Sequence, residues 1–328
     1  GTEVGNGVLL EINSDDAVSK RSITLSEGAV GLHAKEHKID IHLNKLGGVK
    51  TNGIDNVTLS GEISGNGDLF KEGEGVLILN HKNTYIGDTY VRGTNSFIAL
   101  ANTEGLGQGN LRLKDGGGLK LLIDTPDLRP VFLDGGQGVI DTGEFNVYSS
   151  GAIIGTANNS SLVKKGTGKL QINGTANYKG STLISDGVLE VGAGGNTGSI
   201  TGDINIGQTA KLVINRAGIL NLDGTISGNG SLSKKGSGTL FLNSKDANFF
   251  LGGLDVEEGF VGIGKTNDLG LGKVTLKGGG LLLKGNTDRN IAIEQQGGVL
   301  QVDDQQSFLF AGNIQGQGVL TKQGTGTI

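Results

Sequence analysis

The stretch His33-Ala-Lys-Glu36-His37 has the order H-x-x-E-H, in which two histidines on one helical turn hold zinc and the glutamate activates water. Its surroundings do not supply the helix. Ile39-Asp-Ile41-His-Leu43 follows at once and alternates apolar and polar residues as a strand does. Histidines four apart on a strand stand roughly 13 Å apart, too far for two zinc bonds of about 2 Å, and His42 falls on the opposite face from His37 by parity. The stretch reads as a solvated turn, with no metal site.

A second group of candidates is acidic. Asp124, Asp127, Asp134 and Asp141 lie close together in the chain with Arg129 among them. β-Helical polysaccharide lyases and glycosidases place carboxylates and a cation on one outer face, so these residues are the ones an enzyme reading needs. Asp124-Thr-Pro-Asp-Leu-Arg-Pro130 holds both prolines of the chain and breaks the surrounding pattern, which predicts a protruding loop. Acids spaced along a chain do not make a catalytic pair, and the stretch is read as a recognition loop. Gly135-Gly-Gln-Gly138-Val-Ile-Asp141 comes near a calcium-binding nonapeptide, but its aspartate is one place late and no tandem copies follow. The abundant Gly-x-Gly pairs lack the following helix that nucleotide binding requires. No catalytic residue and no cofactor is assigned. Leu254-Asp255-Val256, an integrin-binding tripeptide in other settings, falls where a strand is expected.

The elements that must carry these residues are short strands. The chain has 328 residues, of which 62 are glycine, with no Cys, Met or Trp and 4% aromatics. Glycine at that level without a three-residue period excludes collagen, and the aliphatic remainder excludes a disordered chain. A net charge of −5 without a basic cluster argues against nucleic acid as a partner. Absent cysteine removes disulfides and thiolate metal sites. No run of 18 apolar residues is present. The start is not charged-then-apolar, so any signal peptide is expected to have been removed.

One phrase recurs four times: Leu69-Phe-Lys71-Glu-Gly73-Glu-Gly75, then copies at Leu162–Gly168, Leu232–Gly238 and Leu320–Gly326. The first glycines, Gly73, Gly166, Gly236 and Gly324, are 93, 70 and 88 residues apart. Division by four, three and four gives about 22–23 residues, a solenoid period. Leu77 and Leu79, Leu170 and Ile172, and Leu240 and Leu242 follow the phrase and are expected to face inward, with Ile78, Gln171 and Phe241 outward. Downstream, Asn83-Thr-Tyr85-Ile-Gly87-Asp-Thr89 aligns with Asn177-Tyr178-Lys-Gly180-Ser-Thr182 and with Asn248-Phe249-Phe-Leu-Gly252. Leu106–Leu119 also parallels Leu269–Leu281. The motif lysines Lys71, Lys164, Lys234 and Lys322 are expected about 14–19 Å apart along the axis, at coil corners, their stems covering apolar surface.

These readings predict an all-β fold, a right-handed single-stranded parallel β-helix of about 14–15 coils and no long helix. Residues 1–328 are read as one continuous body. Residues 1–62 form coils without a clear marker, 63–153, 154–225 and 226–313 form marker repeats, and 314–328 form a truncated fourth marker.

The phrase with its Asn-x-Tyr-x-Gly-x-Thr sequel resembles the passenger-associated transport repeat of Gram-negative autotransporters. The fourth copy stops at Ile328 in mid-motif and no C-terminal barrel follows, so an excised or processed passenger piece is expected. The resemblance implies a non-catalytic passenger, secreted or displayed on the outer membrane, that binds a host-cell surface receptor or extracellular matrix. Its other implied partner is its own outer-membrane barrel. Three alternatives stand beside this reading: a released soluble ligand for a host-cell receptor, a carbohydrate-active enzyme, and a structural stalk.

Overall fold

A computed structural model describes residues 1–14, 22–51, 53, 56–125, 127–303 and 305–328. Short strands dominate because three- to five-residue apolar alternations are cut by glycine turns before a helix can nucleate. The strand pairs among the described residues are parallel, and they stack as a β-solenoid of about 15 coils. Among the described residues the one helical element is a four-residue 3-10 turn, Thr266–Leu269, and no helix is long and apolar enough to cross a membrane. The chain falls into two compact units, Gly1–Gly168 and Lys169–Ile328.

In the N-terminal unit the longest sheet stacks Leu9–Ile12, Ala29–Leu32, Gly47–Thr51, Leu69–Glu72, Thr89–Arg92, Leu111–Lys114, Val131–Leu133 and Ile153–Gly155. A second face stacks Asn56–Leu59, Gly75–Leu79, Ser96–Leu100, Gly118–Leu121, Gln137–Asp141 and Ser161–Lys165. A third, better formed near the start, pairs Thr2–Val4, Ser22–Leu25, Asp40–Leu43 and Ile63–Gly65. The C-terminal unit repeats the scheme. One face stacks Leu220–Leu222, Thr239–Leu242, Phe260–Ile263, Gly280–Leu283, Gly298–Val302 and Leu320–Gln323. The longer strands Thr182–Val191 and Ile204–Asn215 turn a corner, marked by a register shift between Ile184 and Asp186.

The inward alternation is as expected. Leu77, Leu79, Leu170, Ile172, Leu240 and Leu242 are all buried, and Ile78 and Phe241 are half-buried on the outer side. Gln171 departs from this: it is buried, capped from outside by Lys169 and Asn173. Each fully covered Leu or Ile contributes about 1.5–3 kcal/mol, and stacking repeats that contribution from coil to coil.

The even ruler inferred from the phrases is not what the register shows. From Lys71 the partners run Val91, Leu113, Leu133 and Gly155, four coils in 84 residues. Lys164 lies nine residues further on, on the next face, where it pairs with Ile140. In the C-terminal unit Lys234 leads through Val256, Leu276 and Ile293 to Gly316, and Lys322 again sits on the following face against Leu300. Coils are therefore nearer 21 residues than 23 in these stretches, and within each unit the phrase moves forward by one face. The phrase encodes a kind of corner, and all corners of the solenoid are available to it.

Candidate functional site

The Lys-x-Gly-x-Gly spacing follows from the geometry of that corner. A lysine at an inward position of the strand carries its ammonium into the turn, and the turn wraps its carbonyls around it. Lys71 Nζ donates to the carbonyls of Glu72 (3.2 Å) and Gly73 (2.7 Å) and to Ser96 Oγ (3.2 Å). Lys164 donates to Lys165 O (3.2 Å), Gly166 O (2.6 Å), Gly168 O (2.7 Å) and Thr142 Oγ1 (3.0 Å). Lys234 donates to the carbonyls of Lys235, Gly236 and Glu258. The first glycine of each phrase has a positive φ, from 69° to 84°, which aims its carbonyl at the ammonium at no steric cost. These three lysines are fully buried. The expectation that only their stems would be covered is corrected: the charge itself lies inside, held by converging carbonyl dipoles.

Burial pushes the ammonium groups of Lys71 and Lys234 down to about 8, with Glu72 and Glu258 respectively working against the shift. Unfolded lysine keeps its proton to about 10.4, so between pH 8 and that value the unfolded chain binds more protons, and stability rises with pH. Tyr85 and Tyr178 act in the opposite sense. Burial raises both hydroxyls, against hydrogen bonds with Thr89 and Thr182. Their contribution is complete below the unfolded value of about 10 and is lost above it. The urea midpoint is therefore expected to climb from pH 7.5 to 9.5 and fall by pH 11. Lys71→Met with Lys234→Met is expected to remove the climb and leave the fall; a climb undiminished in that variant would contradict the assignment.

The aromatic sequel has its own logic. Tyr85 meets Thr89 at 2.5 Å and Tyr178 meets Thr182 at 2.6 Å. At the matching places the third copy has Phe250 and Leu254, both fully buried, so both polar partners were exchanged together. Gly107 and Gly270, in the shared Leu106–Leu119 and Leu269–Leu281 text, both take positive φ and rest on the rings of Tyr85 and Phe250. Buried Asn83 accepts from Ile63 N–H (2.7 Å) and donates to Gly105 O (2.6 Å), and Asn248 makes the same pair of bonds with Ile226 and Asp268. The expected match of Asn177 to these is corrected. Aligning Tyr178 with Tyr85 puts buried Ala176 at that place, and Asn177 is exposed. Tyr85→Phe alone is expected to cost about 1 kcal/mol, and Tyr85→Phe with Thr89→Val to regain most of it, measured as a double-mutant cycle in urea.

The acidic candidates do not converge. Asp124 Oδ1 accepts Asn146 N–H at 2.7 Å, and Asp127 accepts Ser150 N–H at 2.8 Å and its hydroxyl at 2.6 Å. Arg129 donates to Gly109 O (3.3 Å), and Asp141 accepts Gly143 N–H (2.9 Å). Asp134 is held by Arg112 (3.1 Å to each oxygen) and by Thr156 (2.9 Å). The segment does not protrude. Thr125, Leu128 and Val131 donate their N–H groups to carbonyls of the next coil, and Leu128 is buried. Pro126 lies outside the described residues. Beside Asp127 and Arg129 is a cavity of about 30 Å³, room for about one water. Asp40, Asp68, Asp88 and Asp203 make the same coil-to-coil bond to the backbone of Glu62, Asp88, Asn110 and Thr225, at 2.8–2.9 Å. An Asp repeated about 20–23 residues before a polar residue was the signal for this, and it reads as a corner cap.

His33 bonds to Glu11 of the preceding coil, and His37 is turned inward, where it accepts Ala34 N–H at 3.2 Å. The pair thus points to different places, and the solvated-turn reading is corrected for His37. Among the described residues no three of His, Cys, Asp and Glu cluster as a metal site would need. In the tripeptide, Leu254 and Val256 are core and Asp255 pairs with Lys277 at 3.1 Å.

What the sequence reading missed is the outer face of the long N-terminal sheet. Phe70, Tyr90, Arg112 and Phe132 stand one above another in register. The rings of Phe70 and Tyr90 stack at 4.2 Å and 9°. The Arg112 guanidinium lies over Tyr90 and Phe132, 5.6 and 4.5 Å from the ring centres, and bonds to Asp88 (2.7 Å) and Asp134. Burial works against the Asp88 charge, but hydrogen bonds from Arg112 and Asn110 prevail and hold the carboxyl below its ordinary value. Such a carboxylate does not keep a proton to give to a leaving group.

The repeat phrases match the passenger-associated transport repeat at residues 69–93, 162–191 and 232–261, each match opening on the first leucine of a phrase. Over 177 residues, 54% of the chain, the sequence is 33% identical to the adhesin BmaC autotransporter of Brucella suis biovar 1 (strain 1330). The chain spans about 5% of the length of that relative. No solved structure matches it. Its repeats and this relative together make the chain an autotransporter passenger sequence of the kind that carries passenger-associated transport repeats.

Proposed function

We propose that this stretch of passenger is non-catalytic and acts by binding, at the bacterial surface or after secretion, to a host-cell receptor or to extracellular matrix. The observation that carries the reading is the likeness to an adhesin over more than half of the chain. The chemistry agrees with it. The candidate acids hold backbone N–H groups or Arg112, which leaves them as parts of the scaffold. The outward aromatic and arginine column is of the composition that concentrates binding energy at protein surfaces. Asp124, Asp127 and Arg129 remain a secondary surface for recognition, at an exposed corner.

The test is binding of the labelled chain to cultured epithelial cells and to immobilised matrix. Saturable binding displaced by excess unlabelled chain is expected. Binding that is absent or rises linearly with concentration would leave the chain as a stalk.

A further inference from the structure

The aromatic column on the long N-terminal sheet ends abruptly. Below Phe70, the residues at the same outward place are Gly48, then Ala29, then Leu9. Tyr90 covers one face of the Phe70 ring. The ring also has the Arg92 guanidinium 5.8 Å from its centre, and on the side away from Tyr90 its register neighbour is Gly48, which has no side chain. The missing side chains leave a groove of about 360 Å³ with Phe70 as its end wall and Gly48 and Ala29 as its floor. That is the small end of the roughly 300–1,000 Å³ range of small-ligand sites. Val8, Leu9 and Leu46, along its side, are exposed by 53%, 42% and 41%.

The rim selects the ligand. Four charged residues line the groove, Glu27, Lys50, Glu72 and Arg92. Two are acidic and two basic, and Glu72 pairs with both Lys50 (3.8 Å) and Arg92. Opposed charges already paired give an ionic ligand no net attraction, but they offer acceptors and donors side by side. An aromatic face attracts weakly positive C–H groups through its quadrupole. A ring with one C–H face and hydroxyls around its edge satisfies both requirements. We infer that this groove binds a neutral hexopyranose unit of a glycan, stacked against Phe70 on its Gly48 side beside the Arg92 guanidinium, with its hydroxyls at Lys50, Glu72 and Arg92. The inference deepens the binding reading above by naming a ligand class and rests on that reading only in taking the chain to be a binder.

The experiment uses the whole chain on an array of neutral glycans ending in glucose, galactose, N-acetylhexosamine or fucose, beside sialylated and sulfated ones. The best binder is then titrated as its methyl glycoside by NMR. Two outward variants are compared, Ala29→Leu, which fills the floor, and Phe70→Leu, which removes the wall ring. Melting curves confirm that both are folded. Binding to at least one neutral terminus is expected, weakened tenfold or more in each variant. Binding to acidic glycans alone, or binding unchanged in Ala29→Leu, would overturn it. If the chain binds cells but no neutral glycan, the groove proposal falls and the adhesive reading stands. If Ala29→Leu abolishes cell binding that survives enzymatic deglycosylation of the cells, the groove takes a protein partner and the saccharide is excluded. Glycan binding without cell binding would support the groove and remove the adhesive reading.

Discussion

Replacing Lys164 by methionine is expected to destabilise the N-terminal unit by about 2–4 kcal/mol, although methionine fills nearly the same space with no charge to bury. The usual argument favours the apolar residue, since an ion taken out of water carries a large desolvation cost. That argument holds when every member of a buried polar group is replaced together. Here the partners are mostly main chain. The carbonyls of Lys165, Gly166 and Gly168 all converge on the ammonium, and no substitution removes them. Lys165 O keeps the N–H and hydroxyl of Thr142 (2.9 and 3.1 Å), but Gly166 O and Gly168 O lose the ammonium. Each acceptor left without a donor costs about 1–3 kcal/mol, which outweighs the desolvation regained. Because coils of a solenoid unfold in neighbouring groups, the loss should be local first. Hydrogen exchange is expected to accelerate over residues 137–168 before it changes near residue 30, with a lower urea midpoint for the whole unit. An unaltered midpoint with unaltered exchange would show that the lysine merely fills space.

The second large effect is expected from the smallest substitution. Gly168→Ala should cost about 3 kcal/mol or more, the upper end of ordinary overpacking. A methyl group built at Gly168 lies 1.9 Å from the carbonyl oxygen of Phe145 and 2.7 Å from its carbonyl carbon and its nitrogen. These are backbone atoms of the preceding coil, which rotamer changes do not move. The coils must part, and parting breaks the bond from Gly168 N–H to Gly143 O (2.9 Å). Gly5→Ala serves as the control, since a methyl there meets nothing within 4 Å; it is expected to be neutral or slightly stabilising. Thermal melting of the two variants checks the prediction, and equal melting temperatures would refute it.

Both effects concern the phrase that dominates the sequence, and they show how much of it was readable there. The pairs Leu77 with Leu79 and Leu240 with Leu242 announce an inward face by parity alone, and they lie there. Gly73, Gly166 and Gly236 announce a turn, and each has the positive φ that only glycine takes freely. Parity and turn chemistry are properties of a few adjacent residues, so a single sequence carries them. The parallel stacking was equally legible, because copied strand–turn–strand text implies copied structure.

The remainder depends on which residue of one coil lies above which residue of the next. Coil lengths along the long N-terminal sheet vary from 19 to 22 residues, so an average period does not give the register. For that reason the interval from Lys71 to Lys164 passed for whole coils when it also carries the phrase to the next face. Asp124 and Asp127 read in the chain as part of a protruding recognition loop, and only the register shows them holding the backbone of Asn146 and Ser150 one coil on. Phe70, Tyr90, Arg112 and Phe132 are unremarkable residues 20–22 apart in the chain and become one stacked column only in register. The gap beneath that column at Gly48 and Ala29 is likewise invisible until the coils are stacked. The sequence by itself determined the strand, the turn and the side of the chain that faces inward, because these follow from bonds within a few residues. Only the tertiary structure decided which charges are buried, which acids are caps and where a surface groove opens, because those follow from contacts between coils whose spacing the chain leaves uneven.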